Sequence, residues 1–267
     1  MKPITVVVHG AMGKMGKTVI GAVCQEPETK LVGAVDIQAT DDSLLLPDGS
    51  GDIPLSSDLD SLLSAQKPDV MIDFSVAKAS MPAIRLAAKR KVNMVIGTTG
   101  FTPAEVEEIK KLADTNQIGI IMAANFTIGA VVMIHLARVA AKYFDNAEII
   151  EFHHNLKIDA PSGTALSTAK LMAEAKGKPF SRPPVEKGET LPSRGLQTDG
   201  ISIHSVRLPG LLAHQEVIFG AAGQTLTIRH DTIDRDCYMP GVIIATKAVV
   251  KRRGLTIGLA PILGLEG

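Results

Sequence analysis

Tryptophan is absent from the 267 residues, and aromatic side chains of all kinds make up only 3%. Stacking platforms for single-stranded nucleic acid need aromatic faces, so that mode of binding is not expected. There is no excess of charge of either sign, because 28 Lys and Arg balance 28 Asp and Glu. A neutral chain exerts no long-range pull on nucleic acid or on an anionic membrane surface, and neither kind of partner is expected. Cysteine is nearly absent. Cys24 and Cys237 stand far apart with no C-x-x-C spacing, so neither a structural zinc site nor a disulfide is suggested, and two thiols in a reducing cytoplasm are the expectation. The start, MKPITVVVHGAMG, has too short an apolar run for a secretory signal and leads straight into glycines. One uncharged stretch, Ile118 to Ala137, is long enough to span a bilayer. It reads instead as a buried strand, an ANFT loop, and an apolar helix started by Thr127.

What the chain does have is 45% hydrophobic residues, enough for one large core or two modest ones. In the first half, apolar runs at 4–9, 30–36, 69–75, 92–97 and 118–123 alternate with helical patterns at 13–25, 77–90, 103–115 and 127–143. Near-continuous apolar strands separated by helices predict a parallel sheet covered on both faces, which is a doubly wound, Rossmann-type α/β domain. Beyond about residue 145 the pattern changes. Strands at 147–154, 201–208, 214–220 and 224–230 and a helix at 163–176 suggest a second, α+β domain with an antiparallel or mixed sheet. The Pro- and Gly-rich stretch 176–200 reads as a mobile loop or an oligomer contact. The division expected is 1–126 for dinucleotide binding, 127–236 for substrate binding and oligomerisation, and 237–267 packing back on the first domain.

The first strand runs into HGAMGKMG, with Gly10, Gly13 and Gly16 spaced by three and Met12 where a Rossmann loop usually has its second glycine. The loop follows a strand and opens a helix, where unpaired amides and the helix dipole favour a pyrophosphate. Asp36 ends the second strand about 20 residues beyond Gly16, the separation at which an acid meets the ribose hydroxyls of a dinucleotide. It would repel a 2′-phosphate, and Ile37 and Gln38 offer no arginine to hold one, which leans toward NADH. Lys14 and Lys17 keep NADPH open. Gly97, Thr98 and Thr99 after one strand, and Asn125 and Phe126 after another, fall at the edge of the sheet where ligands bind.

The densest chemistry lies in EFHHNLKIDAPSGTA, Glu151 to Ala165. His153 and His154 are neighbours on a strand and point to opposite faces, so a shared metal ion is not expected. Ser162 or Thr164 caps the next helix, whose first amides suit an anion such as a substrate carboxylate. Lys157 adds positive charge, and a histidine exchanges protons near neutral pH. A hydride donor in one domain and a proton donor beside an anion cradle in the other describe a reductase.

That run closely resembles the E-x-H-H-x-x-K-x-D-A-P-S-G-T-A motif of the dihydrodipicolinate reductase family of bacterial lysine and diaminopimelate biosynthesis. GAMGKMG, GTTGF, AANF and IHSVRLPGLLAHQEVIFG fit the same family in the same order, over nearly the whole chain. The resemblance implies NADH or NADPH as cofactor, a small dicarboxylate substrate, a homotetramer built on the substrate domain, and closure of a cleft between domains. It implies that His153 is the general acid/base and Lys157 a proton donor or carboxylate partner. His154, Ser162, Gly163 and Thr164 would bind the substrate, and Arg235 would face it. Gly10, Ala11, Met12, Gly13, Lys14, Met15, Asp36, Gly97, Thr98, Thr99, Ala123, Ala124, Asn125 and Phe126 would line the cofactor. Ile37 departs from those family members that place a basic residue after the acid. A dehydrogenase for another small acid would share the loop and Asp36 without needing the histidine run, and a non-catalytic nucleotide sensor would not need His153 or Lys157.

Overall fold

The computed structural model describes residues 2–181 and 192–265. Part of the stretch read as a loop or oligomer contact, 182–191, lies outside them. In chain order the elements are β1 (Ile4–His9), α1 (Lys14–Gln25), β2 (Thr29–Val35), β3 (Ser43–Leu45), β4 (Asp52–Ser56), α2 (Leu59–Gln66), β5 (Val70–Asp73), α3 (Ala77–Lys89), β6 (Asn93–Ile96), α4 (Pro103–Asn116), β7 (Gly119–Met122), α5 (Ile128–Ala141), β8 (Asn146–His153), α6 (Gly163–Lys176), β9 (Leu196–Thr198), β10 (Ile201–Arg207), β11 (Ala213–Ala221), β12 (Gln224–Thr232), α7 (Met239–Val249) and β13 (Gly254–Ile257). Short 3-10 turns occupy Pro192–Arg194 and Arg235–Tyr238.

The chain divides into two units. One runs through Ile128 and resumes at Arg235; the other is Gly129–Asp234. Each boundary lies two residues from the expected one, and the shift matters for Arg235. The turn that carries it packs on α1 and leads into α7, so Arg235 belongs to the first unit and not to the substrate domain as expected.

The first unit holds a sheet in the order β13-β7-β6-β5-β1-β2-β4-β3, parallel except for β3 against β4. From β1 the chain builds outward through β2 on one side, then returns to lay β5, β6 and β7 on the other. The switch point is therefore at the C-terminal ends of β1 and β5, the place where such sheets take ligands. All residues of β5 and β7 are buried, as strands covered on both faces require. Val7, Met71, Met94, Ile96, Ile109 and Ile120 pack into one core. Thr102 and Glu105 start α4 with a reciprocal capping box. The uncharged stretch 118–137 resolves into β7, a loop and most of α5. Among the described residues no helix is long and apolar enough to cross a membrane.

The second unit is a mixed sheet, β12-β11-β8-β10-β9, with β8 and β10 parallel and the other pairs antiparallel. α6 packs on β8, β9 and β10. Ala165, Ala169 and Met172 from the helix meet Ile149, Ile203, Val217 and Phe219 from the sheet. α6 starts on Ser162, whose hydroxyl accepts the Ala165 amide, and stops at Gly177 in the left-handed conformation. β8, the central strand, ends at His153 and so presents the histidine run at the edge where α6 begins.

Candidate active site

In the first unit, Gly10 turns the chain out of β1 with φ +80°. A Cβ there would stand 2.8 Å from the Phe74 carbonyl oxygen, so both backbone and space demand glycine. At Gly16 a Cβ would stand 2.1 Å from the Gly10 carbonyl oxygen; the first turn of α1 lies directly on the loop. Gly13 is the N-cap and has no side chain to cap with, which leaves the first-turn amides of Lys14, Met15 and Gly16 as open donors. The earlier amides are committed to shaping the loop. Gly10 and Ala11 donate to the Val35 carbonyl, Gly13 donates to that of Gly10, and Met12 donates to Asp36 Oδ2 at 2.9 Å. An uncapped helix start held this way fits a phosphate. The Gln38 amide donates to Asp36 Oδ1 at 3.0 Å. Each Asp36 oxygen then keeps capacity to accept a ribose hydroxyl. Ile37 is 91% exposed and brings no charge.

At the ends of β5 and β6 the structure reveals a network that the sequence reading missed. Asp73 is fully buried. It pairs with His9 Nδ1 at 3.0 Å and accepts the Ser75 amide and the Ser80 hydroxyl. Burial pushes its carboxyl up, but these hydrogen bonds outweigh burial and hold it below the usual carboxylate range. The Ser75 amide also donates to Thr98 Oγ1 at 2.9 Å. Thr98 is therefore turned inward and buried, its hydroxyl supporting the loop after β5. Thr99 and Ala124 are exposed, and Asn125 is half-buried. At Gly97 a Cβ would stand 2.1 Å from the Phe74 ring. Phe74 and Phe126 meet with ring centroids 5.9 Å apart, so Gly97, Phe74 and Phe126 form one wall. Ala123 is buried, its amide donating to the Ile96 carbonyl, and Asn125 Oδ1 accepts the Thr127 amide.

In the second unit, His153 Nδ1 lies 2.5 Å from Glu151 Oε2. Glu151 is fully buried. Arg207 reaches both of its oxygens, each at 2.8 Å, and the Ser162 amide donates to Oε1 at 3.1 Å. Burial alone would raise the Glu151 carboxyl, yet the hydrogen bonds from His153, Arg207 and Ser205 win and bring it down to about 2. Lys157 Nζ donates to both oxygens of Asp159 at 2.7 Å, and this bond holds the Asp159 carboxyl below its ordinary value.

Ser162, expected to bind substrate, makes hydrogen bonds within the protein. Its hydroxyl caps α6, its amide goes to Glu151, and it is buried. The open donors at the start of α6 are the next two amides, of exposed Gly163 and half-buried Thr164. His154 is half-buried, and its carbonyl accepts the Lys157 amide. Glu151 was legible as a partner of His153, two residues away on one strand and so on the same face. Arg207 was not, because only the parallel pairing of β8 with β10 sets it beside His153.

Two family models match the chain: "Dihydrodipicolinate reductase, N-terminus" over residues 4–126 and "Dihydrodipicolinate reductase, C-terminus" over 129–263. A 4-hydroxy-tetrahydrodipicolinate reductase of Dehalococcoides mccartyi strain CBDB1 is 61% identical over 265 residues, covering 99% of this chain and all of that protein. One from Moorella thermoacetica is 44% identical, covering 97% of this chain and 98% of its own. The solved dipicolinate-bound dihydrodipicolinate reductase from Paenisporosarcina sp. TG-14 superposes with a TM-score of 0.86 at 40% identity, over 97% of this chain and 99% of that one. An amine dehydrogenase from Mycobacterium smegmatis, 14% identical with a TM-score of 0.65 over 95% and 94% of the two chains, shares the fold. With both halves matched and full-length relatives at this identity, the chain belongs to the dihydrodipicolinate reductase family.

Proposed function

We propose that the chain is a 4-hydroxy-tetrahydrodipicolinate reductase, which reduces the cyclic imine dicarboxylate left when its substrate loses water and yields tetrahydrodipicolinate for lysine and diaminopimelate synthesis. The observation that carries this reading is the cluster of His153, Lys157 and the open Gly163 and Thr164 amides, assembled by β8 and α6 in a chain of this family. The nicotinamide, when bound, supplies a hydride. Lys14 and Met15 offer amides to its pyrophosphate, Asp36 accepts from a ribose, and Gly97, Phe126 and the Asn125 loop form the wall beside it.

The remaining work falls to the second unit. Lys157 exchanges Asp159 for a substrate carboxylate. The Asp159 side chain is 61% exposed, so water takes up the carboxylate it releases and the exchange costs little. The Gly163 and Thr164 amides hold a carboxylate on the positive end of α6. His153 delivers the proton that accompanies the hydride. Dipicolinate, held by the Paenisporosarcina relative, is itself a dicarboxylate, which agrees with two anion-binding anchors. We place the enzyme in the cytoplasm as a homotetramer, the state that light scattering would test. Asp36 followed by Ile37 favours NADH.

The test is the decay of NADH absorbance, and separately of NADPH, with freshly generated hydroxytetrahydrodipicolinate. Rapid oxidation is expected, with the larger kcat/KM for NADH. Tight dinucleotide binding without oxidation of either would remove the assignment.

A further inference from the structure

We propose that Glu151 is a positioning residue serving two parts of the site at once: Oε2 fixes the tautomer of His153, and Oε1 fixes the start of α6, with Arg207 holding both oxygens. The inference rests on the reading of His153 as the proton donor.

The argument begins with the hydrogen-bond capacity of the group. Glu151 is inaccessible to solvent and carries its charge against a bidentate guanidinium. An ionised carboxylate can only accept. All its neighbours must therefore be donors, and the neighbour at 2.5 Å is His153 Nδ1. The proton on Nδ1 is thus present whether the ring is neutral or charged. The proton that comes and goes in the reaction is the one on Nε2. A buried carboxylate makes this assignment a property of the fold, in the way an orienting acid does for other catalytic histidines.

The same group reaches the anion cradle. Oε1 accepts the Ser162 amide at 3.1 Å, and Ser162 is the N-cap of α6. The bond anchors the residue just before the two amides assigned to a substrate carboxylate. Arg207 widens the connection. Its NH2 group donates to the Asp159 carbonyl at 2.6 Å and its NH1 group to that of Val206 at 2.8 Å. One ion pair therefore touches the histidine, the helix start and the segment that carries the partner of Lys157. The register of β8 and β10 sets Ser205 beside Glu151 and Arg207 beside His153, so the sheet itself delivers these donors.

An isosteric change exposes the dual role. In Glu151→Gln one oxygen becomes an NH2 group. Placed at Oε2, it faces Arg207 as a second donor and forces His153 Nδ1 to become an acceptor. Placed at Oε1, it faces both the Ser162 amide and Arg207, two contacts of donor against donor where the Oε2 placement has one, so the Oε2 placement is the better and His153 changes tautomer. Neither orientation satisfies both ends. Glu151→Asp keeps the charge and the acceptors on a shorter stem.

The experiment compares wild type, Glu151→Gln and Glu151→Asp by steady-state kinetics, NADH binding, and 15N spectra of histidine-labelled protein, with the His153 signals assigned by their loss in His153→Gln. Glu151→Gln should lower kcat by about 10²-fold or more. It should leave NADH affinity unchanged and move His153 away from the Nδ1–H form. Glu151→Asp should retain Nδ1–H and lose no more than about tenfold in kcat. Wild-type kcat in Glu151→Gln, or an unchanged His153 tautomer, overturns the proposal. If Glu151→Gln lacks the cooperative thermal melt of the wild type and so has not folded, Glu151→Asp decides: a folded aspartate variant with His153 in the Nε2–H form also overturns it. A wild-type protein that shows the Nδ1–H form and its loss in Glu151→Gln, yet does not oxidise NADH, would refute the assigned reaction and leave the positioning role standing.

Discussion

Replacing Gly163 with alanine separates what the fold needs from what a ligand needs. Gly163 is the first residue of α6 and is exposed; a Cβ built on it meets nothing within 4 Å. Its backbone is ordinary helix, so nothing in the protein itself calls for glycine. Alanine restricts the unfolded chain and should stabilise by about 0.4–1 kcal/mol, which is roughly 1–4 °C in Tm for a protein of this size. The substrate should respond in the opposite direction. A carboxylate on the Gly163 and Thr164 amides would compete with the new methyl for the same space. Losing one charge-assisted hydrogen bond costs about 1.5–3 kcal/mol, a rise in KM of roughly 10- to 100-fold. Thermal melts and initial rates of NADH oxidation measure both on one preparation. A variant with unchanged KM would refute the anion cradle, and one with a lowered Tm would refute the claim that the space is open.

Four further outcomes are expected. His153→Ala should lower kcat by about 10²-fold with a smaller change in KM, read from the same rates. Gly16→Ala forces a Cβ to within 2.1 Å of the Gly10 carbonyl and should weaken NADH binding by about tenfold or more while costing about 1–3 kcal/mol of stability, measured by titration and urea unfolding. Asp36→Ala should raise the ratio of NADPH to NADH kcat/KM by removing the charge that repels a 2′-phosphate. The Glu151 carboxyl falls from 4.5 to about 2 on folding; because the folded value is the lower one, its contribution is complete above about pH 4.5 and is lost as pH falls toward 2. That window is worth roughly 3 kcal/mol, so the stability gap between wild type and Glu151→Gln should narrow from about pH 6 to pH 3 in urea titrations, and a constant gap would contradict it.

The long, apolar elements were readable because their burial is written in composition. The runs at 4–9 and 118–123 became β1 and β7, and the helix expected at 163–176 is α6 to the residue. The elements that escaped are short. β3, β4, β9 and β13 have three to five residues, and α2 has eight; segments of that length carry too few positions for a period to show. Near the candidate site, residue type and spacing offered Ser162 or Thr164 as the cap of α6, and the cap is Ser162. What sequence concealed was commitment: that the Ser162 amide and hydroxyl are used internally, that Thr98 faces inward toward Ser75, and that Arg207, 56 residues from Glu151, closes on its carboxylate. Those are products of strand register and turn geometry, which a linear reading does not contain.

The way the first unit is threaded has a consequence for its biosynthesis. β13 pairs with β7 from Gly254 beside Gly119 to Ile257 beside Met122, and α7 packs on β5, β6 and β7. On a ribosome, β7 leaves the exit tunnel long before either arrives. Until then it offers an unpaired strand edge and an uncovered sheet face, the surfaces on which nascent chains aggregate. The second unit, Gly129–Asp234, is one uninterrupted stretch and contains everything its own core needs. Synthesis therefore should finish the second unit first, and the sheet of the first unit should close only when β13 has emerged.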